Sequence, residues 1–204
     1  MPRPPAMFPE KRAAIIEAAM KVFAEKGYRG ATSRGIAEAA GITPGTIYWY
    51  FKNKEDLFRA VIRERSPIPK IMAQVADPDR PPEEVIPELM DNYLRGIEEG
   101  VAVYAFRIVL SEAGHHPELT AIIREEIAGR LIAGIAGYLE EQVKRGRIRP
   151  MNLTFLAMLV MGPLLLSGIA RFVLGLDFGP GTRQELVKTA SQAILYGIVR
   201  KEGK

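Results

Sequence analysis

The sequence predicts an all-α protein, with an N-terminal domain of three helices followed by a C-terminal helical bundle. Apolar residues recur at three- and four-residue spacing along most of the chain, which is the pattern of one helix face. No stretch alternates apolar and polar residues for long enough to predict a strand. At 204 residues and 48% apolar content, the chain can bury a sizeable core.

The first predicted helix follows a proline-rich start. Because proline opposes helix formation, residues 1–8 are predicted to be a flexible arm. From Pro9 to Phe23 the apolar residues share one face, and Gly27 ends the helix. Together with the two short helices that follow it, this helix is predicted to form a domain over residues 9–52.

Cap residues mark the next three helices. Thr32 precedes a short helix that stops at Gly41, a residue type that favours the left-handed end of a helix. Thr43 is predicted to cap the third helix, with Pro44 at its first position. Asn53 is predicted to cap a fourth helix.

The fourth helix is predicted to connect two domains. It is assigned to residues 53–75, although Pro67 and Pro69 interrupt its apolar stripe. The second domain is predicted over residues 76–204. After a segment rich in proline and aspartate, apolar residues from Val85 to Ile97 share one helix face, and further helices are predicted near 101–113, 117–145, 152–175 and 183–201.

Charge is distributed unevenly along the chain. Residues 1–65 hold 12 Lys and Arg against 7 Asp and Glu, a net charge of +5. Residues 66–204 hold 16 against 17, a net charge of −1. An excess of positive charge at one end attracts a phosphate backbone, and it would also attract an anionic membrane surface.

Several function classes lack their residues here. The chain has no cysteine, which removes disulfides, thiolate metal sites and cysteine nucleophiles and suits a reducing cytoplasm. No phosphate loop, zinc-protease motif or nucleophile elbow occurs, so enzyme activity is not predicted. Glu112 and His115 have the spacing of a di-iron element, but only one copy exists, and we predict no metal site and no cofactor. No secretory signal is recognised at the N-terminus, and a cytoplasmic location is predicted.

Residues 32–51 have the spacing of a helix-turn-helix, in which one capped helix, a turn through Gly41 and a second capped helix follow each other. The second helix carries three successive aromatic residues, Tyr48, Trp49 and Tyr50. Successive helical residues point about 100° apart, so at least one ring faces outward. Exposed rings beside basic residues indicate a contact surface.

The segment from Arg12 to Val61 resembles the DNA-binding domain of the tetracycline-repressor (TetR) family. The matching positions include Ala18-Ala19, Phe23, Gly27-Tyr28, Thr32, Ile36-Ala37, Ala40-Gly41-Ile42-Thr43, Gly45-Thr46-Ile47-Tyr48, Tyr50-Phe51 and Lys52-Asn53-Lys54-Glu55-Asp56-Leu57. The resemblance implies a dimeric repressor of double-stranded operator DNA, with the third helix in the major groove and a small-molecule effector bound by the second domain. An activator or an architectural DNA-binding protein would carry the same motif.

The resemblance also implies a set of DNA-contacting residues: Thr32, Ser33, Arg34, Thr43, Pro44, Gly45, Thr46, Tyr48, Trp49, Tyr50, Lys52 and Lys54. Thr32, Thr43, Tyr48 and Lys54 match phosphate-contacting positions, and Thr46 and Trp49 match positions that reach base edges. Other interpretations stay open. The two threonines can serve as helix caps, Tyr50 can pack on the fourth helix, and Arg34 and Lys52 can be solvated charges.

The second domain offers weaker signals. The stretch 106–113, followed by 117–119, resembles relatives that control multidrug efflux, which implies a promiscuous apolar ligand. The predicted ligand-binding residues are Tyr93, Tyr104, Phe106, Arg107, Glu112, Met158, Met161 and Phe172. Methionine and aromatic residues at helical spacing are also typical of a plain core.

Residues 153–170 form an uncharged run long enough to suggest a membrane span. Gly162-Pro163 in its middle, Arg171 near its end and basic residues on both flanks argue against that interpretation. A helix that is apolar all round is also what a dimer core requires. In the TetR family the last two helices form the dimer interface, so we predict a homodimer through helices 152–175 and 183–201 and no membrane partner.

Overall fold

The structure is a computed structural model that describes residues 8–98, 117–176 and 181–198. The all-α prediction is confirmed, and no strand occurs within those three ranges. In chain order the helices are α1 (Pro9–Gly30), α2 (Ser33–Ala39), α3 (Pro44–Tyr50), α4 (Lys54–Arg65), α5 (Ile68–Val75), α6 (Pro82–Glu98), α7 (Pro117–Ile123), α8 (Ala133–Lys144), α9 (Leu153–Gly168) and α10 (Arg183–Ile198). Two π-helical segments, Arg124–Ile132 and Ile169–Val173, follow α7 and α9.

Helices α1 to α4 and α7 form the first of two compact units. In α1 the backbone leaves the helical conformation at Gly27, where φ is +69°, so the regular helix ends at the glycine that was predicted to end it. The core beneath contains a cluster of three rings, in which Phe58 meets Phe23 and Tyr28 edge to face with centroids 5.2 and 5.3 Å apart. Leu119 of α7 is fully buried in the same core.

The prediction of one connecting helix over 53–75 is wrong. The stretch forms two helices, α4 and α5, and α5 belongs to the second unit. Proline explains the break, because Pro67 has no N–H to continue α4. Pro69 lies in the first turn of α5, where a backbone N–H has no intrahelical partner in any case.

Helices α5, α6, α8, α9 and α10 form the second unit, together with both π-helical segments. The buried face of α6 includes Val85, Leu89 and Tyr93, and α6 packs against α5, α9 and α10. Gly168 of α9 allows close approach to α6, since a Cβ there would lie 2.8 Å from Cδ1 of Ile97. The core of this unit therefore lies along α6.

The helices predicted after residue 76 are found where the structure describes them, while the one predicted near 101–113 lies outside the described residues. The predicted single domain over 76–204 is wrong in one part, because α7 belongs to the first unit. The stretch predicted at 117–145 is helical to Lys144, although its middle part is π-helical. Asn152 caps α9, where the Phe155 N–H donates to Asn152 Oδ1 at 3.1 Å. The last helix begins at Arg183 as predicted and is described to Ile198.

Within the described ranges one helical stretch is long and apolar enough to cross a membrane by length and composition. It is Leu153–Arg171, with a mean hydropathy of 2.1 over its most apolar window. A core helix of a water-soluble protein passes the same test, and 39% of this window is buried inside the protein. The stretch is therefore weak evidence for a membrane span.

Candidate DNA interface

Helices α2 and α3 are held in a helix-turn-helix arrangement by a short turn and an apolar contact. The turn passes through Gly41, whose φ of +66° suits glycine. The Ile42 N–H donates to the Ala37 carbonyl at 3.0 Å, which satisfies a carbonyl at the end of α2. Ile36 and Ile47 are fully buried beneath the two helices. The turn and the buried contact therefore fix the orientation of α3, whose outer face points to solvent.

Thr32 caps α2 as predicted. The Gly35 N–H donates to Thr32 Oγ1 at 3.1 Å, while the Thr32 residue stays exposed. A hydroxyl that accepts a hydrogen bond keeps its own O–H to donate. Capping and donation to a phosphate are therefore compatible at Thr32.

The prediction that the Thr43 side chain caps α3 is wrong. Its hydroxyl lies 2.8 Å from the hydroxyl of Thr46 and accepts from no backbone N–H in the cap. The physical reason is local, because the Thr46 N–H, a usual donor to such a cap, donates to the Thr43 carbonyl at 2.9 Å. The two hydroxyls therefore form a pair at the start of α3.

The outward face of α3 carries two large rings. Tyr48 is 57% exposed and Trp49 is 62% exposed. Pro44 and Gly45 are exposed one turn earlier on the same faces, and a Cβ added to Gly45 would meet no atom within 4 Å. The fold itself does not require a glycine at position 45. The absence of a side chain there instead leaves space for a binding partner to approach the backbone of α3.

Tyr50 differs from its two aromatic neighbours. It is half-buried and packs against the core of the first unit. Ile47, Tyr50 and Phe51 lie at i, i+3 and i+4, so they share the inward face of α3. The structure thus supports the packing interpretation of Tyr50, and its DNA contact is not supported by its position.

The predicted basic residues lie around α3 rather than on it. Lys54 donates to the carbonyls of Tyr28 and Ala31 at 2.9 and 3.3 Å, which commits two of its three N–H groups to the C-terminal end of α1. Arg34 pairs with Glu38 at 3.2 Å on an exposed face of α2. Lys52 is exposed just after α3, and Ser33 is half-buried at the start of α2.

Comparison with known families agrees with this arrangement. A family model described as bacterial regulatory proteins of the tetR family matches residues 15–61. A second model, described as the C-terminal domain of AefR-like transcriptional repressors, matches residues 84–196, more than half of the chain. The chain belongs to the TetR family of transcriptional regulators. Members of this family are transcription factors rather than enzymes.

Individual relatives of this TetR-family regulator cover most of its length. YhgD of Bacillus subtilis, an uncharacterized HTH-type transcriptional regulator, is 29% identical over 147 residues, which are 70% of this chain and 74% of YhgD. The fatty acid degradation regulator FadR from Bacillus halodurans is 26% identical with a TM-score of 0.75, over 95% of this chain and 98% of that one. FadR from Bacillus subtilis in complex with stearoyl-CoA shares the fold, with 22% identity and a TM-score of 0.73 over 91% and 98%.

The predicted ligand-binding residues of the TetR-family regulator do not all face the same way. Tyr93 and Met161 are buried in the second unit, and burial raises the pKa of the Tyr93 phenol above its ordinary value. Met158 is 52% exposed, so it does not line the interior of the second unit. The other predicted positions lie outside the described residues or have side chains outside them, namely Tyr104, Phe106, Arg107, Glu112 and Phe172.

Gln74 is a candidate ligand contact that sequence reasoning missed. It is only 8% exposed, and in the described parts of the chain neither polar atom of its amide makes a hydrogen bond of good geometry, although the amide lies near the Glu88 carboxylate and helps to lower its pKa. An unpaired amide in an apolar interior costs free energy of about 1–3 kcal/mol. A glutamine in a sequence is usually predicted to be exposed to solvent, so only the burial of Gln74 in the structure identifies it as a candidate ligand contact.

A groove of about 630 Å³ lies between α6 and α10 of the TetR-family regulator. Arg183 crosses it, bonding to Asp91 at 2.8 Å and also to Glu98. Burial opposes ionisation of Asp91, but Arg95 and Arg183 hold its pKa below the ordinary value. These paired charges form part of the groove wall, and none of the three predicted ligand residues whose side chains are described, Tyr93, Met158 and Met161, lines it.

Proposed function

We propose that this TetR-family regulator is a repressor that binds a palindromic operator as a homodimer and is released by a small, largely hydrophobic ligand. The outward face of α3 is the observation that carries the DNA part of this proposal. Two exposed rings stand beside a glycine that the fold does not need, within a segment of net charge +5. We assign the protein to the cytoplasm, where bacterial DNA is found.

The exposed side of α9 supports the homodimer. Its exposed residues follow helical spacing and form what we call the α9 stripe: Phe155, Met158, Leu159 and Leu166. Gly162 lies within the stripe, and no atom within 4 Å would meet a Cβ there, so a second helix can approach closely. Tyr196 of α10 is 75% exposed. Because regulators of the TetR family act as dimers, we propose a second copy of the chain as the partner of this surface, and we assign the dimer interface to α9 and α10.

A two-fold dimer requires a matching operator. Two copies of α3 related by a dyad fit successive major grooves when their centres are roughly 34–36 Å apart, or a multiple of that distance. The operator is then an inverted repeat whose half-sites are about one helical turn apart.

The ligand class is proposed from the interior of the second unit. Most of its buried side chains are apolar. The buried polar side chains Glu126, Tyr138, Gln142 and Ser191 bond to groups of the protein itself, which leaves the Tyr93 phenol and the Gln74 amide as polar groups for a ligand. The structural neighbour FadR from Bacillus subtilis was solved in complex with stearoyl-CoA. Long-chain acyl-CoA thioesters are therefore the first compounds to test. The efflux-type resemblance implies a promiscuous apolar ligand, so hydrophobic, cationic and planar aromatic compounds are the second class.

Selection of binding sites from random double-stranded DNA by the purified protein tests the DNA part of the proposal. We expect an inverted repeat to be enriched. Enrichment of no sequence would contradict the repressor proposal, and enrichment of a single half-site with no repeat would contradict the dimeric operator.

Titration of ligands against the protein–operator complex tests release. A ligand that releases DNA binds the DNA-incompetent state better, and by linkage the operator must weaken ligand binding by the same factor, typically 5–150-fold. A compound whose affinity is the same with and without operator is not the effector. Failure of both compound classes would contradict the ligand class while leaving the DNA part untouched.

A further inference from the structure

The residues of α3 exclude the usual ways of reading purines. Arginine and lysine read guanine, and asparagine and glutamine read adenine, through paired hydrogen bonds in the major groove. None of these four residue types occurs in α3, whose sequence is Pro-Gly-Thr-Ile-Tyr-Trp-Tyr. The helix that the proposed function places in the groove therefore reads bases by other contacts.

Few polar groups remain on the outward face of α3. Ile47 and Tyr50 face the core, and the hydroxyls of Thr43 and Thr46 lie 2.8 Å from each other. One threonine O–H of that pair, the Tyr48 hydroxyl and the Trp49 indole N–H are left as donors, and the last two stand on large apolar rings. Most of the outward surface is consequently apolar.

Trp49 and Gly45 together form an open apolar surface. They are one helical turn apart on the same face, and a Cβ added to Gly45 would meet no atom within 4 Å. The space beside the indole is thus free for a group from the DNA. Among the groups that distinguish base pairs in the major groove, the apolar one is the C5-methyl of thymine.

We propose that α3 reads thymine methyl groups and that Trp49 is the residue that determines this specificity. The inference rests on the proposed function, because it requires α3 to lie in the major groove of operator DNA. The cations near α3 are then left for phosphates, since Arg34 lies on α2, Lys52 follows α3 and Lys54 begins α4. Affinity and sequence preference are carried by different helices.

Replacement of thymine by deoxyuridine tests this inference on the selected operator. The replacement removes one methyl group and leaves every hydrogen-bonding group in place. We expect replacement of each contacted thymine to lower operator affinity about three- to fivefold, which corresponds to the free energy of burying one methyl group. Deoxyuridine placed outside the two half-sites serves as the control and should leave affinity unchanged.

Trp49→Ala identifies the residue responsible. Because Trp49 is 62% exposed, its truncation leaves no cavity, and an unchanged helical circular dichroism signal checks the fold. We expect the thymine-to-deoxyuridine affinity ratio to fall to about one in Trp49→Ala. Tyr48→Phe is the matched variant, since it keeps the ring and loses only a hydroxyl, and it should retain the wild-type ratio at a lower overall affinity.

Two results would overturn the inference. One is a wild-type protein that binds its selected operator equally well with deoxyuridine at every half-site thymine. The other is a Trp49→Ala variant that keeps the wild-type ratio. Both results are distinct from a selection that enriches no sequence, which contradicts the proposed function itself.

Discussion

Two helices of this protein expose large apolar side chains. The two sets of side chains differ in chemistry, and this difference indicates a different kind of partner for each helix. Helix α3 exposes Tyr48 and Trp49, whose rings carry a hydroxyl and an N–H. Helix α9 exposes Phe155, Leu159 and Leu166, which have no polar group. Rings with a polar group suit a hydrated and charged partner, whereas side chains without any polar group are stabilised by contact with another apolar surface. We therefore assign α3 to DNA and α9 to a second copy of the chain.

The largest effect is expected from a charge placed in the α9 stripe. Leu159→Asp leaves the core of one subunit intact, because Leu159 is 56% exposed. In a dimer the new carboxylate would be buried without a partner, which costs several kcal/mol and raises the dissociation constant at least roughly 100-fold. Sedimentation velocity at micromolar concentration should then show monomer or aggregate in place of dimer.

Glu140→Lys on the exposed side of α8 is the control for that experiment, since it changes a surface charge outside α9 and α10. It should sediment as the wild-type protein does. A Leu159→Asp protein that remains a dimer would mean that the interface lies elsewhere and that the exposed side chains of α9 have another partner.

The next effect separates stability from DNA binding at Gly45. Gly45→Leu adds a side chain where the protein has open space, and replacement of an exposed helical glycine stabilises a helix by up to ~1 kcal/mol. The same side chain would stand between α3 and the groove, and we expect operator affinity to fall at least about 100-fold. Thermal unfolding and fluorescence anisotropy at one salt concentration measure the two quantities.

Gly137→Leu on α8 is the matched control, because a Cβ at Gly137 also meets no atom within 4 Å. It should show the same gain in melting temperature with unchanged operator affinity. If Gly45→Leu binds the operator as tightly as Gly137→Leu does, the outward face of α3 is not the DNA-contacting surface.

A third effect separates the capping and phosphate roles of Thr32. Aspartate caps helices as well as threonine does, so Thr32→Asp should keep the melting temperature, whereas Thr32→Ala should lose about 1 kcal/mol. A carboxylate beside a phosphate is repelled, and we expect Thr32→Asp to weaken operator binding by roughly tenfold or more. Asn152→Asp, which changes the cap of α9 in the same way, should leave affinity unchanged. Equal affinity of Thr32→Asp and wild type would assign Thr32 to capping alone.

The parts of the fold that could be predicted from the sequence are those that depend on local residues. The bounds of α1 to α4 are set by local residues such as Gly27, Gly41 and Asn53, whose effects depend on near neighbours. The packing of α7 into the first core was not predicted, because Leu119 and Ile122 reach that core across a long separation in sequence. Local signals carry no information on such a contact.

The site was predictable to a similar degree. A helix with a polar side and an apolar side indicates which residues face outward, and the burial of Ile47 with the exposure of Trp49 follows that rule. Helix α9 is apolar all round, so its sequence cannot distinguish Met158, which is exposed, from Met161, which is buried. Only the packing of α9 against α6 decides between them.

The smallest effect compares the caps of the two units. The cap of α2 is neutral, but that of α10 is a reciprocal box in which the Thr182 N–H donates to Glu185 Oε2 at 2.7 Å and the Glu185 N–H donates to Thr182 Oγ1 at 3.2 Å. The hydrogen bonds from Thr182 lower the pKa of Glu185 below its ordinary value of 4.5. The stabilisation is therefore present above pH 4.5 and is lost as the pH falls through the lowered pKa.

Glu185→Gln should lower the melting temperature slightly at neutral pH, and its melting temperature should converge with that of the wild type in acid. Thr32→Ala should instead keep a constant difference from wild type over the same range, because its cap contains no titrating group. A Glu185→Gln difference that is equally constant down to strong acid would show that the carboxylate contributes nothing through its charge.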